Sequence, residues 1–334
     1  MLYIINENKD PFFNMAMEEY FLGLDIKEDV FMLWQNRPAV VVGRHQNTHA
    51  EINREFIKEN NIQVVRRLSG GGAVYHDQGN VNFTFIKREV SRDKFDFSHF
   101  TGPVIKTLQH LGVAAEFTGR NDITIEGKKF SGNAQYFSRQ GMLHHGTILF
   151  DSDLTVLVRA LDVSKEKYVS RGVPSVRSRI TNVSEHLPRP LAIEEFMALL
   201  VNAVNESSRG ALRQYRPSKG DLQKISLMAD NKYRTWEWNF GPAPPFNYKQ
   251  VKRLPGGTVS IYLEIEEGII RGCKIYGDFF ASGDLDELAS CFLDRPYEKA
   301  FINKWAGQLQ VEEYLHNISA SELASCFFES GECS

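Results

Sequence analysis

The stretch QVVRRLSGGGAVYHDQGNVNFTFI (residues 63–86) reads as a strand, a glycine-rich connection, a second strand, and a third strand after the turn signal DQGN. Glycine loses more conformational entropy on folding than any other residue, so Gly70, Gly71 and Gly72 in succession need a reason. A tight turn with positive φ accounts for one or two of them. A run of three also uncovers backbone N–H groups that can bind an anion or line a narrow acyl channel. The run is not a P-loop, because no G-K-[ST] follows. It is not a dinucleotide fingerprint either, because it lacks G-x-G-x-x-G and no helix opens after it. Arg66 and Arg67 sit on the preceding strand, so their side chains point to opposite faces. One is expected to grip a phosphate or carboxylate bidentately and the other to lie on a solvated surface.

Short apolar runs separated by turn residues fill the first half: LYII, VFMLW, AVVVG, DITIEG, KKFSGNAQYF and GTILF. Helical patterns lie between them at Phe13–Leu24, Asn53–Asn60 and Gly102–Leu111, followed by the amphipathic Ala192–Glu206. Many joins between strands are short, as at Glu126-Gly127, which predicts an α+β domain with a mixed or antiparallel sheet. The proline-rich NFGPAPPFNYKQ (239–250) marks a connector, giving expected domains at 1–246 and 247–334. Beyond it, TVSIYLEIEEGIIRGCKIYGDFF alternates around Glu267-Gly268 as a hairpin does. Helices are expected at Leu285–Leu293, Tyr297–Trp305 and Ser321–Phe328, making the tail a small α+β domain.

A net charge of −3, 42% hydrophobic and 24% charged residues describe an ordinary globular chain and argue against a nucleic-acid coat or a polybasic membrane anchor. No window approaches a membrane span and the N-terminus has no signal-peptide pattern, so a cytoplasmic location is expected. Cys273, Cys291, Cys326 and Cys333 fit no zinc spacing. Cys273 and Cys291 are expected to pack as small apolar groups, Cys326 to lie on a helix face, and Cys333 to be exposed and idle.

Two further segments carry chemistry. In GRNDITIEGKKFSGNAQ (119–135), a hairpin at Glu126-Gly127 brings Asp122 within a few ångströms of a lysine. That lysine could neutralise charge developing at an α-phosphate, and the aspartate could hold Mg²⁺. The adjoining FSGNA leaves room for a ligand. KYVSRGVPSVRSRITNV (167–183) has the composition of a basic loop able to cover a nucleotide. His144 and His145 begin a strand and are expected to be structural.

With these segments placed, the chain resembles the bacterial A-type lipoate–protein ligases, on RRLSGGGAVYHD, GRNDITIEGKKFSGNA, HHGTILF and SVRSRITN in that order. The resemblance implies a catalytic domain of the biotin–lipoate ligase, class II synthetase-like type with a small accessory domain. It implies that lipoic acid and Mg·ATP give lipoyl-AMP, whose acyl group passes to a lysine. The acceptors would be lipoyl domains of 2-oxoacid dehydrogenase complexes and glycine cleavage H protein, and a monomer is expected. Carried over by motif, Arg67 would bind nucleotide phosphates, and Gly72, Ala73, Val74 and Tyr75 would continue the ATP site with His76 beside it. Lys129 would contact both the lipoate carboxyl and the α-phosphate, as the catalytic residue. Asn121 and Asp122 would lie near the adenylate, Asp122 toward Mg²⁺. Ser69, Gly70 and Gly71 would wall the acyl pocket, and Val169–Asn182 would form the adenylate loop. An octanoyl or lipoyl transferase of the same fold, working without ATP, is the nearest rival. A version with a cysteine acyl-enzyme is disfavoured, because no cysteine precedes Cys273. Biotin ligation is disfavoured because RRLSGGG replaces that family's Gly-Arg-Gly-Arg loop. A non-catalytic lipoate binder would have no need to keep Arg67, Asp122 and Lys129 together.

Overall fold

Strand β1 (Leu2–Ile4) leads to helix α1 (Pro11–Gly23), which starts where Asp10 accepts the Phe12 N–H at 3.0 Å. Pro11 opens the helix without an N–H that would need a partner. The computed structural model describes residues 1–89, 97–118, 121–161, 176–208, 211–241 and 248–328. After α1 come β2 (Val30–Trp34) and β3 (Ala39–Val42), continuous apolar runs buried throughout. Helices α2 (Thr48–Glu51) and α3 (Arg54–Glu59) precede β4 (Gln63–Arg66), β5 (Val74–His76) and β6 (Asn80–Lys87). Helix α4 (Ser98–His110) is followed by the meander β7 (Ala115–Thr118), β8 (Asp122–Ile125), β9 (Lys128–Ser138) and β10 (Gly141–Leu149). Then come α5 (Leu154–Ala160), α6 (Val176–Arg179), α7 (Ile193–Ser207), β11 (Arg213–Tyr215), α8 (Lys219–Met228) and α9 (Trp236–Asn239).

Among the described residues the chain divides into two compact units. The larger comprises Met1–Val42, His49–Arg67 and Val74–Asn239. The smaller comprises Gly43–Thr48, Leu68–Ala73 and Phe240–Ser334. The boundary expected between 246 and 247 lies outside the described residues.

In the larger unit eight strands form a mixed sheet in the order β11-β1-β2-β6-β10-β9-β8-β7, with parallel pairing at β11-β1-β2 and antiparallel pairing elsewhere. Strand alternation gives the sheet two unlike faces. Phe31, Leu33, Val81, Phe83, Phe85, Met142 and Ile148 point to one face and form a core with Val104 and Leu108 of α4 and Phe196, Leu200 and Val204 of α7. The residues between them (Met32, Trp34, Asn80, Asn82, Thr84, His145, Thr147) point the other way, toward the side where Glu18 of α1 reaches them.

The remaining strands of this unit form a sheet of order β4-β3-β5. Strands β4 and β5, which flank the glycine run in sequence, are therefore not hairpin partners, because β3 lies between them. The run is a loop, not a tight turn.

In the smaller unit β12 (Tyr248–Leu254), β13 (Gly257–Glu266) and β14 (Ile269–Gly277) form an antiparallel sheet. Glu267 and Gly268 turn the predicted hairpin with φ of 49° and 74°. Helices α10 (Leu285–Ser290), α11 (Lys299–Ala306), α12 (Val311–Tyr314) and α13 (Ala320–Ser325) cover it, burying Ile261, Leu263, Ile275, Leu288, Ile302 and Leu323. Cys273 and Cys326 are buried there, and burial raises their thiol pKa to about 12 and about 11. Cys333 lies outside the described residues. No helix among those described is long and apolar enough to cross a membrane.

Candidate active site

Lys129 owes its position to a β-bulge. The β8–β9 register pairs Asp122 with Gly132 and Ile123 with Ser131, then shifts so that Thr124 pairs with Lys129. Strict alternation would put residues 129 and 132 on opposite faces; the extra residue, Phe130, turns into the apolar core and brings Lys129 onto the face of Asp122 and Gly132. The Lys129 ammonium then reaches Asp122 Oδ1 at 2.7 Å, the ion pair expected across the hairpin. A Cβ on Gly132 would stand 2.9 Å from Lys129 Nζ and 3.0 Å from Cε, so the glycine is the floor over which the lysine lies. Both charged side chains keep more than a third of their surface exposed, which leaves the ammonium accessible to an incoming anion.

The register continues this row. Gly132 N–H donates to Thr147 Oγ1 at 3.3 Å, Thr147 pairs with Asn82, and Asn82 pairs with Trp34. The next row, one two-residue repeat or about 7 Å along the strands, runs Ala134, His145, Thr84 and Met32. Here the polar groups are buried and linked. Trp34 Nε1 donates to Thr84 Oγ1 at 2.9 Å, and Thr84 donates to Glu18 Oε1 at 2.6 Å. His145 Nδ1 lies 3.0 Å and 3.1 Å from the two Glu18 oxygens.

Arg67 and His76 join this group. The Arg67 guanidinium donates to the Val41 carbonyl at 3.1 Å and is buried. Burial lowers its pKa to about 10, opposed by the field of Glu18 and reinforced by Arg66, so it stays charged at neutral pH. His76 is also buried, its ring edge-on to Trp34 with centroids 5.9 Å apart. Burial first, then Arg67 and His145, lower its pKa to about 3, so it is neutral. Val74 is half-buried and Tyr75 buried. Burial, followed by the charges of Asp77 and Asp153, raises the Tyr75 phenol above its ordinary range. Asn121 is spent on structure. Its Nδ2 donates to the Asn133 carbonyl at 2.7 Å, and its own carbonyl accepts from Asn133 N at 2.9 Å. Of the stretch expected to form the adenylate loop, residues 169–175 lie outside the described residues. The part that follows docks on Lys129: Thr181 N–H donates to the Lys129 carbonyl at 3.0 Å, and Asn182 exchanges two hydrogen bonds with the Ser152 backbone.

Arg66 departs from expectation. It is buried, with Nε donating to the Trp238 carbonyl at 3.0 Å and an Nη to the Asn239 carbonyl at 3.0 Å. A planar fork can satisfy two orphan carbonyls at the end of α9, so it caps a helix rather than facing solvent. Sequence reasoning also missed Glu18, Trp34, Asn36, Asn82, Thr84 and Thr147. The available signal was a carboxylate at position 18 among the apolar residues Met15, Met17, Phe21 and Leu22.

Ser69, Gly70, Gly71, Gly72 and Ala73 belong to the smaller unit. A Cβ on Gly70 would come within 2.4 Å of the Phe279 carbonyl oxygen. Gly71 has a φ of 89° and donates its N–H to that oxygen at 3.2 Å. The buried Ser69 accepts the Arg44 N–H at 2.8 Å through its carbonyl. Gly72 is exposed, with no atom within 4 Å of where a Cβ would stand.

Residues 10–205 match the family model of the lipoyl protein ligase A/B catalytic domain, and residues 243–327 match that of the bacterial lipoate protein ligase C-terminus. Lipoate-protein ligase LplJ of Bacillus subtilis (strain 168) is 40% identical over 331 residues, covering 98% of this chain and all of that relative. A bi-partite lipoate protein ligase from Thermoplasma acidophilum, solved in a study of that enzyme and its E2 lipoyl domain, is 26% identical with a TM-score of 0.64, covering 74% of this chain and 98% of its own. A lipoate-protein ligase A bound with ATP is 26% identical with a TM-score of 0.61, covering 72% and 98%. The larger unit has the α+β fold with a mixed sheet expected of that group, and the chain belongs to the lipoate–protein ligase family.

Proposed function

We propose that this chain activates lipoate with Mg·ATP and transfers the lipoyl group to a lysine of lipoyl domains in 2-oxoacid dehydrogenase complexes and of glycine cleavage H protein, acting as a cytoplasmic monomer. The observation that carries this reading is the bulge-placed ammonium of Lys129 on the sheet face shared with Asp122 and Gly132. A lipoate carboxylate oxygen attacks the α-phosphorus, the bond to the bridging oxygen breaks, and pyrophosphate leaves. The carboxylate is already nucleophilic, so no activated serine or cysteine is needed. The protein's work is to hold two anions together and stabilise the charge on pentavalent phosphorus. Lys129 does this at the acyl-phosphate junction and Arg67 at the phosphates. In the second step a lysine amine of the carrier attacks the acyl carbon, AMP departs, and an amide forms.

Among the described residues no group of three or more His, Cys, Asp or Glu is assembled for a metal. Magnesium commonly takes one or two carboxylates plus substrate phosphates and keeps several waters, so Asp122 alone suits a cation that arrives with the nucleotide. When bound it would supply charge neutralisation on the phosphates. The relative bound with ATP and the relative studied with its E2 lipoyl domain support the choice of nucleotide and acceptor. The test is to incubate the chain with lipoate, magnesium and α-labelled ATP, then add a lipoyl domain. Labelled lipoyl-AMP followed by a lipoyl-sized mass increase on the domain is expected. Acyl transfer from a loaded carrier with no use of ATP would establish the transferase alternative.

A further inference from the structure

We infer that a buried pair of asparagines, Asn14 and Asn36, fixes the tautomer of His76 so that its Nε2–H donates to an anionic oxygen of the bound substrate. Backbone carbonyls can only accept. Asn14 Nδ2 lies 3.0 Å from the Asn8 carbonyl and 3.1 Å from the Gln35 carbonyl, so that end of Asn14 is the NH₂. The same nitrogen meets Asn36 at 2.9 Å, and its partner there must therefore be Oδ1. Asn6 Nδ2 donates to Asn14 Oδ1 at 2.9 Å, consistent with that orientation. The other end of the Asn36 amide is then an NH₂, and it lies 3.0 Å from His76 Nδ1. A nitrogen facing an obligate donor accepts, so the neutral ring carries its proton on Nε2.

That Nε2–H is buried and, among the described residues, has no hydrogen-bond partner. Leaving a buried donor unmade costs about 1–3 kcal/mol. Its surroundings suit an anion: the guanidinium of Arg67 lies near enough to depress the charge of the ring, and Trp34 walls its edge. Burial and the same field disfavour a protonated imidazole, whereas a neutral N–H donor is tolerated and complements an incoming oxygen. Asn14 and Asn36 act only through His76, so they are positioning residues.

The oxygen belongs to a carboxylate or a phosphate. The ligase reading above supplies the two candidates, lipoate and ATP. Histidine-selective ¹⁵N labelling with long-range proton–nitrogen correlation reads the tautomer directly, with His76 assigned by its absence from His76→Gln. Wild-type protein is expected to show unprotonated Nδ1 and protonated Nε2 from pH 8 to pH 5. Lipoate and ATP are then added separately, and the Nε2 proton moves downfield with whichever supplies the oxygen. In Asn36→Asp the new carboxylate accepts instead of donating and draws the proton to Nδ1. The KM for that substrate then rises about ten-fold or more, the worth of one hydrogen bond to a charged group, with kcat little changed. A wild-type Nδ1–H tautomer, an Nε2–H unmoved by either substrate, or an Asn36→Asp variant with normal KM would each overturn the inference. The wild-type spectrum needs no variant, so misfolding of Asn36→Asp would not remove the test. Absence of lipoyl-AMP with the tautomer and its shift intact would count against the ligase chemistry alone.

Discussion

Replacing Lys129 with methionine separates what the residue does for the fold from the role we propose for it in the reaction. Methionine keeps most of the aliphatic stem that lies over Gly132 and deletes the ammonium. The lost ion pair to Asp122, at 2.7 Å, is 39% exposed on one side and 36% on the other. Pairs so solvated are worth about 0–1 kcal/mol, which for a domain of this size moves Tm by no more than about 4 °C. Losing a preorganised charge at the point where charge develops costs about 10²–10³ in rate, or about 3–4 kcal/mol of barrier. Thermal unfolding followed by circular dichroism and lipoyl-AMP formation from α-labelled ATP are measured on the same preparation. Near-native Tm with adenylation down by two orders of magnitude or more is expected. Normal adenylation would refute the role of Lys129, and a Tm loss of ten degrees or more would show that the pair belongs to the core, contrary to its exposure.

Gly132→Ala places a methyl 2.9 Å from Lys129 Nζ, an atom at the flexible end of a side chain. The fold is therefore expected to survive in thermal melts while adenylation falls at least ten-fold as the ammonium is displaced. The glycine run yields a paired comparison. Gly70→Ala drives a methyl to 2.4 Å from the Phe279 carbonyl and lowers stability by about 1–3 kcal/mol in urea titrations, whereas Gly72→Ala enters open space and leaves stability unchanged. Equal losses from the two variants would contradict the assignment. His76 and His144 are both buried and neutral, with pKa values lowered chiefly by burial, to about 3 for His76 and well below 6.5 for His144. In the unfolded chain these rings take up protons below about pH 6.5 while the folded rings do not, so acid favours unfolding. Each contributes a loss of about 1.4 kcal/mol per pH unit as pH falls below 6.5, a loss that for His76 continues down to about pH 3. Urea midpoints that stay level from pH 7 to pH 5 would refute this.

Much of the architecture was legible because periodicity reports burial directly. VFMLW and AVVVG are buried at nearly every position, and Glu126-Gly127 and Glu267-Gly268 turn with the positive φ that hairpins require. Three things were not legible. The pairing of β4 and β5 with β3 instead of each other is a long-range choice that neither strand encodes locally. The bulge at Phe130 breaks alternation in KKFSGNAQYF, and only the register with β8 reveals it. The linked group of Glu18, Trp34, Thr84 and His145 draws on α1, β2, β6 and β10, separated by up to 127 residues, so no local motif announces it. The triple glycine sits between these cases. Its oddity was visible, but contact with the Phe279 carbonyl explains Gly70, a positive φ explains Gly71, and Gly72 alone keeps the open space a ligand would need.

Burial treats the basic groups of this site differently, and the difference explains why the cation next to His76 is an arginine. Desolvation takes His76 below any physiological pH, making it a neutral donor. The same penalty leaves Arg67 with a pKa of about 10, helped by the field of Glu18, so it remains a permanent charge. A lysine starts from an ordinary pKa of about 10.4, and equal burial would carry it toward neutrality within the working range. Arg67→Lys is therefore expected to adenylate best at the acid end of its stability range, with its KM for ATP climbing as pH rises, while wild type stays level over the same interval. Parallel pH profiles for the two proteins would show that the charge at position 67 is not what the nucleotide meets.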